Sequence, residues 1–235
     1  MENLNIGLGL AWYAVFVLSA TFHEYAHGLS AKKFGDPTAY HHGLVTLDPI
    51  PHIQRSPFGM VIIPIISFML NGWMLGWASA PYDPYWARYN RKKAALMSLA
   101  GPVANLTLVI IAGLLIRIGI LVGYFQSPSQ ISITCVVEAV EPGFANSAAI
   151  MVSVMFSLNL ILCIFNLIPL PPLDGSGAIK LFLSDEGAEK YEAMLAQPGI
   201  QMVGLIIAWQ IFTPVYWPIH TLALNILYYP IAYYG

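Results

Sequence analysis

His23, Glu24 and His27 form an H-E-x-x-H pentad within Phe22-His23-Glu24-Tyr25-Ala26-His27-Gly28. On a helix, residues four apart stand one turn above one another, so the two imidazoles can share one metal ion with the Glu24 carboxylate beside it. That is a hydrolytic zinc site in outline. With six His and seven Glu in 235 residues, a random order yields the pattern in roughly 0.5% of arrangements, the product of three residue frequencies over about 230 start positions. The plain alternative is a pair of core histidines hydrogen-bonded to neighbours. It leaves the accompanying carboxylate unexplained where ionisable groups are costly.

The surrounding chain is 57% hydrophobic and 9% charged, against about 25% charged residues in soluble domains. These values describe an all-α polytopic membrane protein embedded in the lipid bilayer. The net charge of −2 supplies no basic surface for nucleic acid. Met1-Glu2-Asn3-Leu4-Asn5 lacks the positive n-region of a signal peptide, so the first apolar run is expected to stay. Cys135 and Cys163 are the two cysteines, one in an expected external segment and one in an apolar run, and no disulfide is expected.

The pentad and its supports read as parts of one membrane-embedded domain over 1–235. Residues 6–30 form the first crossing, and Lys32-Lys33 just beyond place its C-terminal end in the cytosol. Residues 31–93 are a cytosolic and re-entrant region. Within it, 38–47 are expected to form a membrane-associated β-hairpin or edge, while 58–79, interrupted by Pro64, Asn71, Gly72 and Gly76, dip into the membrane and return. Residues 94–123 cross outward, with Arg117 snorkelling to the outer interface. Residues 124–148 are an external loop, and its stretch 124–147 has no Lys or Arg. Residues 149–175 cross back and break at Pro169, Pro171 and Pro172 before Asp174-Gly175. Residues 199–234 supply C-terminal helices, with 218–234 either interfacial or a further short crossing. About four to six transmembrane helices result. Nine of the ten basic residues then lie on the cytosolic side, with Arg117 the exception.

A catalytic zinc takes three protein ligands and leaves a fourth position for water. His23 and His27 supply two. Asp174 is the best third, because the proline break frees it at the depth of the pentad; its competing role is as a helix N-cap. One Zn2+ per chain would bring its bound water to a pKa of about 7 and polarise a scissile carbonyl. Glu24 would take the water's proton and pass it to the leaving amine.

The chain resembles the site-2 protease family of intramembrane zinc metalloproteases, in its compact prokaryotic form without a PDZ domain. The resemblance rests on the pentad followed by Gly28, Gly35-Asp36-Pro37-Thr38-Ala39, Thr46-Leu47-Asp48-Pro49, Gly76-Trp77-Ala78, Gly101-Pro102-Val103-Ala104-Asn105 and the run Asn166-Leu167-Ile168-Pro169-Leu170-Pro171-Pro172-Leu173-Asp174-Gly175. It implies that His23, His27 and Asp174 bind zinc and that Glu24 is the base. It further implies that the segment after Thr38 receives unwound substrate along a sheet edge, and that Asn105 and Asn166 orient substrate or polarise its carbonyl. Each asparagine could equally be a helix-packing residue. Gly43-Leu44, Asp48-Pro49 and His52-Ile53-Gln54 depart from the sequences common in that family, which bears on substrate preference more than on catalysis.

The expected function is an intramembrane zinc endopeptidase in a prokaryotic cell membrane, its site nearer the cytosolic face, cleaving transmembrane segments of other proteins. The alternatives are a metal transporter, which the absence of repeats and of polar residues spread over several crossings disfavours, and a catalytically silent zinc-binding scaffold, which an intact Glu24 disfavours. His41, His42 and His52 could suggest a second metal but read as interfacial histidines, and His220 as a packing residue.

Overall fold

Capping residues and prolines delimit the apolar runs. The computed structural model describes residues 5–234. Asn5 accepts a hydrogen bond from Leu8 N (3.0 Å) and opens α1, Ile6–Phe34. Gly35, at φ 106°, closes it in the left-handed conformation that side chains resist.

Asp36 organises the residues just beyond α1. Its Oδ1 accepts from Thr38 N (2.9 Å) and Thr38 Oγ1 (2.5 Å), and its Oδ2 from Asp83 N (2.8 Å). The first two bonds start a single helical turn, α2, Thr38–His41. The third ties the end of α1 to a segment far along the chain.

The β-hairpin expected over 38–47 is therefore corrected. His42 N bonds Thr38 O, Gly43 N bonds Tyr40 O and Leu44 N bonds Ala39 O. The stretch consumes these donors within itself and leaves none of them for a ladder. Among the described residues the sheet consists of two two-residue strands, β1, Phe125–Gln126, and β2, Glu138–Ala139, within the stretch expected to be an external loop.

Asp48 caps Ile50 N (2.9 Å) and, with Pro49 in the first turn, starts α3, Pro49–Arg55. A π-helical turn, Phe58–Ile62, leads into α4, Ile63–Asn71, bent 111° from α3 and closed by Gly72 at φ 76°. The chain then returns without regular structure. Trp77 N bonds Gly59 O (3.1 Å), and a Cβ on Gly59 or Gly76 would strike the opposing backbone carbonyl. Asp83 meets Asp36 and caps α5, Pro84–Tyr89, at Tyr85 N (2.8 Å). Residues 36–83 thus leave and rejoin the bundle at the same end, in the re-entrant manner read from Pro64 and Gly72.

The helix α6 is Arg91–Leu121; β1, Phe125–Gln126, pairs antiparallel with β2, Glu138–Ala139. Then come α7, Phe144–Leu167, α8, Asp174–Ala178, and α9, Asp185–Leu195, capped by Ser184. Last is α10, Ile200–Tyr228, which runs unbroken through Pro214 and Pro218. The C-terminal region is therefore one helix rather than two, since prolines inside an apolar helix are tolerated when the surroundings satisfy the freed carbonyls. The tail folds back, with Asn225 bonding Tyr234 N (2.7 Å) and O (2.9 Å).

Four helices, α1, α6, α7 and α10, are long and apolar enough to cross a membrane, and the bent α3–α4 pair could make a fifth. Helices α1, α6 and α7 pack together: Trp12 and Phe16 of α1 share a cluster with Val154 and Leu158 of α7, and Val109, Ala112 and Ile116 of α6 share another with Phe156 and Leu160 of α7. The outer face of α6 exposes Ile110, Leu114, Ile118 and Leu121, a surface that requires lipid. At one end of the bundle Arg91 grips Glu189 (2.8 Å), and its guanidinium holds that carboxyl below the usual range. At the other end Arg117 donates to Leu227 O (3.2 Å) near the negative terminus of α10.

Asp36→Asn is expected to loosen the re-entrant segment, because an amide can keep the Thr38 bond only by turning its NH2 towards Asp83 N–H. The cost should be about 1–3 kcal/mol, read as a lower unfolding temperature in detergent, and an unchanged melting curve would show that the Asp36–Asp83 tie carries no weight.

Candidate metal centre

The pentad lies in the second half of α1, with His27 about 10 Å of helical rise before its end. Its i,i+4 spacing sets the two rings edge to face, with Nε2 atoms 3.0 Å apart. After α7 ends at Leu167, the chain passes Pro169, Pro171 and Pro172 and re-enters a helical turn at Asp174. A Cβ on Gly175 would run into the carbonyl oxygens of Leu167 and Ile168, so only glycine allows this fold-back. Asp174 is not a cap: Leu173 holds that position, with no side-chain capping bond. Its Oδ2 lies 3.1 Å from His23 Nε2 and its Oδ1 3.3 Å from His27 Nε2. Three ligand atoms at about 2.0–2.1 Å from a tetrahedral zinc would stand about 3.3 Å from one another.

Hydrogen bonds on the far side of each ring decide what these atoms carry. His27 Nδ1 is 2.8 Å from Met97 O. A carbonyl only accepts, so Nδ1 bears the proton and the neutral ring presents a lone pair at Nε2. His23 Nδ1 is 2.6 Å from Asn105 Oδ1, with the same result. With both rings neutral, two lone pairs and a carboxylate converge on one point. Asp174 Oδ2 is buried and has no hydrogen-bond donor although a nitrogen lies beside it. Such a set repels itself unless a cation sits among it, and two imidazoles with one carboxylate is a donor set that zinc accepts. Among the described residues this is the one group of three such side chains close enough to hold a metal.

Glycine 101 of α6 makes the closeness workable. A Cβ there would collide with Nε2 of both histidines. Glu24 is buried and shares with His27 and Asp174 a cleft of about 200 Å3, closed by Met97, Pro172 and residues 78–82.

Not every expected site residue joins this group. Asn105 is fully buried behind His23 and does not line the cleft. Its side-chain oxygen meets His23 Nδ1 at 2.6 Å instead. Asn166 is half-buried on the last turn of α7, with no side-chain hydrogen bond among the described residues. His41 and His42 are exposed, and His52 is buried against Thr46 O (3.1 Å). His220 stacks on Tyr216, with Trp217 edge-on to it. Sequence reasoning passed over Met97, which acts through its backbone and so leaves no trace in residue type. It also passed over residues 79–82 and Asn159, although an asparagine amid Ser157-Leu158-Asn159-Leu160-Ile161 was a readable signal.

Gly101→Ala is expected to weaken zinc binding while the chain still folds. Overpacking costs about 1–3 kcal/mol, on the order of 10- to 100-fold in affinity when it falls on the ligand atoms, and competition with a chromogenic chelator would measure it.

The sequence profile of Peptidase family M50 matches residues 11–210. A Bacillus subtilis (strain 168) protein bearing the name "Putative zinc metalloprotease YwhC" is 36% identical over 171 residues, covering 72% of this chain and 68% of that protein. Rip2 of Mycolicibacterium smegmatis (strain ATCC 700084 / mc(2)155), of the same description, is 26% identical over 181 residues, covering 77% of this chain and 60% of Rip2. No solved structure matches. A profile match over most of the chain, and a metalloprotease relative aligned over two thirds of its own length, together with the His-His-Asp geometry, place this chain in Peptidase family M50, as a zinc metalloprotease.

Proposed function

We propose that this protein hydrolyses peptide bonds within or next to transmembrane segments of other membrane proteins, with His23, His27 and Asp174 holding one zinc and Glu24 as general base. The observation that carries the reading is the convergence of two imidazoles and a carboxylate, at 3.0–3.3 Å, at the wall of a cleft that also contains Glu24. Zinc bound there supplies a Lewis acid for the scissile carbonyl and a water acidic enough to lose its proton near neutral pH.

The chain's own residues do the rest. Glu24 accepts a proton from the attacking water as the water oxygen bonds the carbonyl carbon. It then delivers that proton to the amine nitrogen as the C–N bond breaks. Met97 O and Asn105 fix the imidazoles by their Nδ1 protons, so the rings need not reorient during turnover.

A helical substrate hides its amides in its own hydrogen bonds and must be unwound. The receiving surface expected after Thr38 forms one helical turn followed by turns and bends, but residues 78–82 offer another. They line the cleft beside Glu24, run without regular structure, and make no backbone–backbone hydrogen bond among the described residues. Of their carbonyls, Ser79 O alone is engaged, by Arg55 Nε (3.0 Å). An extended substrate could pair with the remainder in the manner of an added strand. The Lys32-Lys33 pair, Arg88 and the cluster Arg91-Lys92-Lys93 gather at the α1 C-terminal end, which supports a cytosolic position for the nearer end of the site.

The test is Glu24→Gln in the purified, reconstituted chain, assayed on single-span membrane proteins carrying helix-breaking residues in the span. A general base contributes about 10²–10⁴-fold, so cleavage should fall by that factor while zinc stays at one per chain. Cleavage undiminished in this variant would sink the proposed role of Glu24, and no cleavage of any such span by the wild type would sink the intramembrane reading.

A further inference from the structure

We propose that Asn159, on α7 and two side chains removed from the metal, is a positioning residue that sets the tautomer of His23. It acts through Asn105. The proposal rests on the zinc-site assignment of His23, His27 and Asp174 and adds what holds one of these ligands in a binding-competent state.

The two histidines are oriented in different ways. His27 Nδ1 faces the main-chain carbonyl of Met97, whose direction nothing can reverse. His23 Nδ1 faces a primary amide, and an amide can turn over. If Asn105 presented its NH2 to His23, Nδ1 would have to accept, the proton would move to Nε2, and the ring could not bind a metal. Something must forbid that rotation.

Asn159 does so because its own orientation is forced. Its Nδ2 lies 2.9 Å from Met155 O and 2.9 Å from Ser19 Oγ. The Met155 carbonyl accepts only, so the Asn159 NH2 must point at it; the reverse would press two carbonyl oxygens together. Asn159 Oδ1 is thereby turned to Asn105, whose Nδ2 donates to it at 2.8 Å. Asn105 Oδ1 is then the atom left for His23, at 2.6 Å. Each hydrogen bond in the chain Met155 O, Asn159, Asn105, His23 Nδ1 has one allowed direction. Ser19, Asn105 and Asn159 are all fully buried, so no bulk water can substitute for a missing partner.

Replacing Asn159 by Leu removes the acceptor. The Asn105 NH2 would then be an orphan, a worse fate for a buried N–H than for a carbonyl, and the amide gains by turning NH2 towards His23. Zinc affinity should fall on the order of 10-fold, the lower end of losses seen when a ligand's supporting hydrogen bond is removed. Asp at position 105 has no NH2 to turn. The double variant Asn105→Asp/Asn159→Leu should therefore bind zinc within about 3-fold of wild type, which mere loss of packing at 159 could not produce.

The experiment is zinc competition against a chromogenic chelator on the full chain in detergent, for wild type, Asn159→Leu and the double variant, with nitrogen NMR of histidine-labelled, zinc-free wild type beside it. Weakening in the single variant, recovery in the double, and a His23 Nδ1–H tautomer in the wild type are the expected results. An Nε2–H tautomer of His23 in the wild type overturns the proposal without reliance on any variant's folding. So does a single variant that binds zinc as the wild type does, or a double variant that binds no better than the single. Failure of the wild type to bind zinc would instead overturn the metal site itself, and is read separately from the stoichiometry.

Discussion

Mutual repulsion among three electron-rich side chains is the constraint on which this structure turns. With both rings neutral, His23 Nε2, His27 Nε2 and the Asp174 carboxylate face one another at 3.0–3.3 Å as three acceptors, mostly shielded from solvent. Left alone, such a group would separate or acquire protons. It is held by what lies behind it: Met97 O and Asn105 occupy the Nδ1 positions, and the fold-back before Asp174 gives the carboxylate no capping donor with which to escape. The attraction missing from the side chains alone is that of a divalent cation.

Bringing a carboxylate from the end of α7 to the face of α1 requires that α6, which packs on both, get out of the way. Gly101 does this by omission, and Gly175 does it at the fold-back, where the carbonyls of Leu167 and Ile168 occupy the space of a side chain. The prolines before Asp174 serve the same geometry by ending α7, so that a polar side chain can leave the helix and turn to α1. Helix breaks are expensive in lipid unless they line a protected cavity. Here Pro172 and the extended residues 78–82 are both walls of the cleft beside Glu24, so the two irregular segments of the chain share one such cavity.

What the sequence disclosed depended on range. The pentad was legible because i,i+4 spacing is geometry that one helix supplies by itself. Asp174 was legible as a candidate through the prolines around it, although its approach to His23 is a tertiary fact. The stretch after Thr38 was misjudged because Asp36 reaches over two residues to Thr38 and starts a helical turn; the competition between a side-chain acceptor and a backbone ladder leaves little mark on residue type. Asp48-Pro49 and Asp83-Pro84 each pair an acidic cap with a proline in the first turn, so the acid at position 48 is accounted for by the start of α3. The unbroken α10 shows the limit of reading proline as punctuation. Pro214 and Pro218 lie one turn apart, and the helix passes both.

Asparagine in a membrane helix is usually explained by helix–helix adhesion, and Asn105 and Asn159 do join α6 to α7. Adhesion alone does not require a direction, because either amide could donate to the other. A direction appears only when one end of the chain is an atom that cannot donate, the carbonyl of Met155, and the other end is a ring whose two nitrogens differ in what they can bind. The two hydrogen bonds that fasten α7 to α6 and α6 to α1 then carry chemical information, the location of one proton, from the Met155 carbonyl within α7 to the ring of His23. Packing and the orientation of the His23 ring are in this protein one set of contacts, which explains why polar groups stand at the centre of an otherwise apolar bundle.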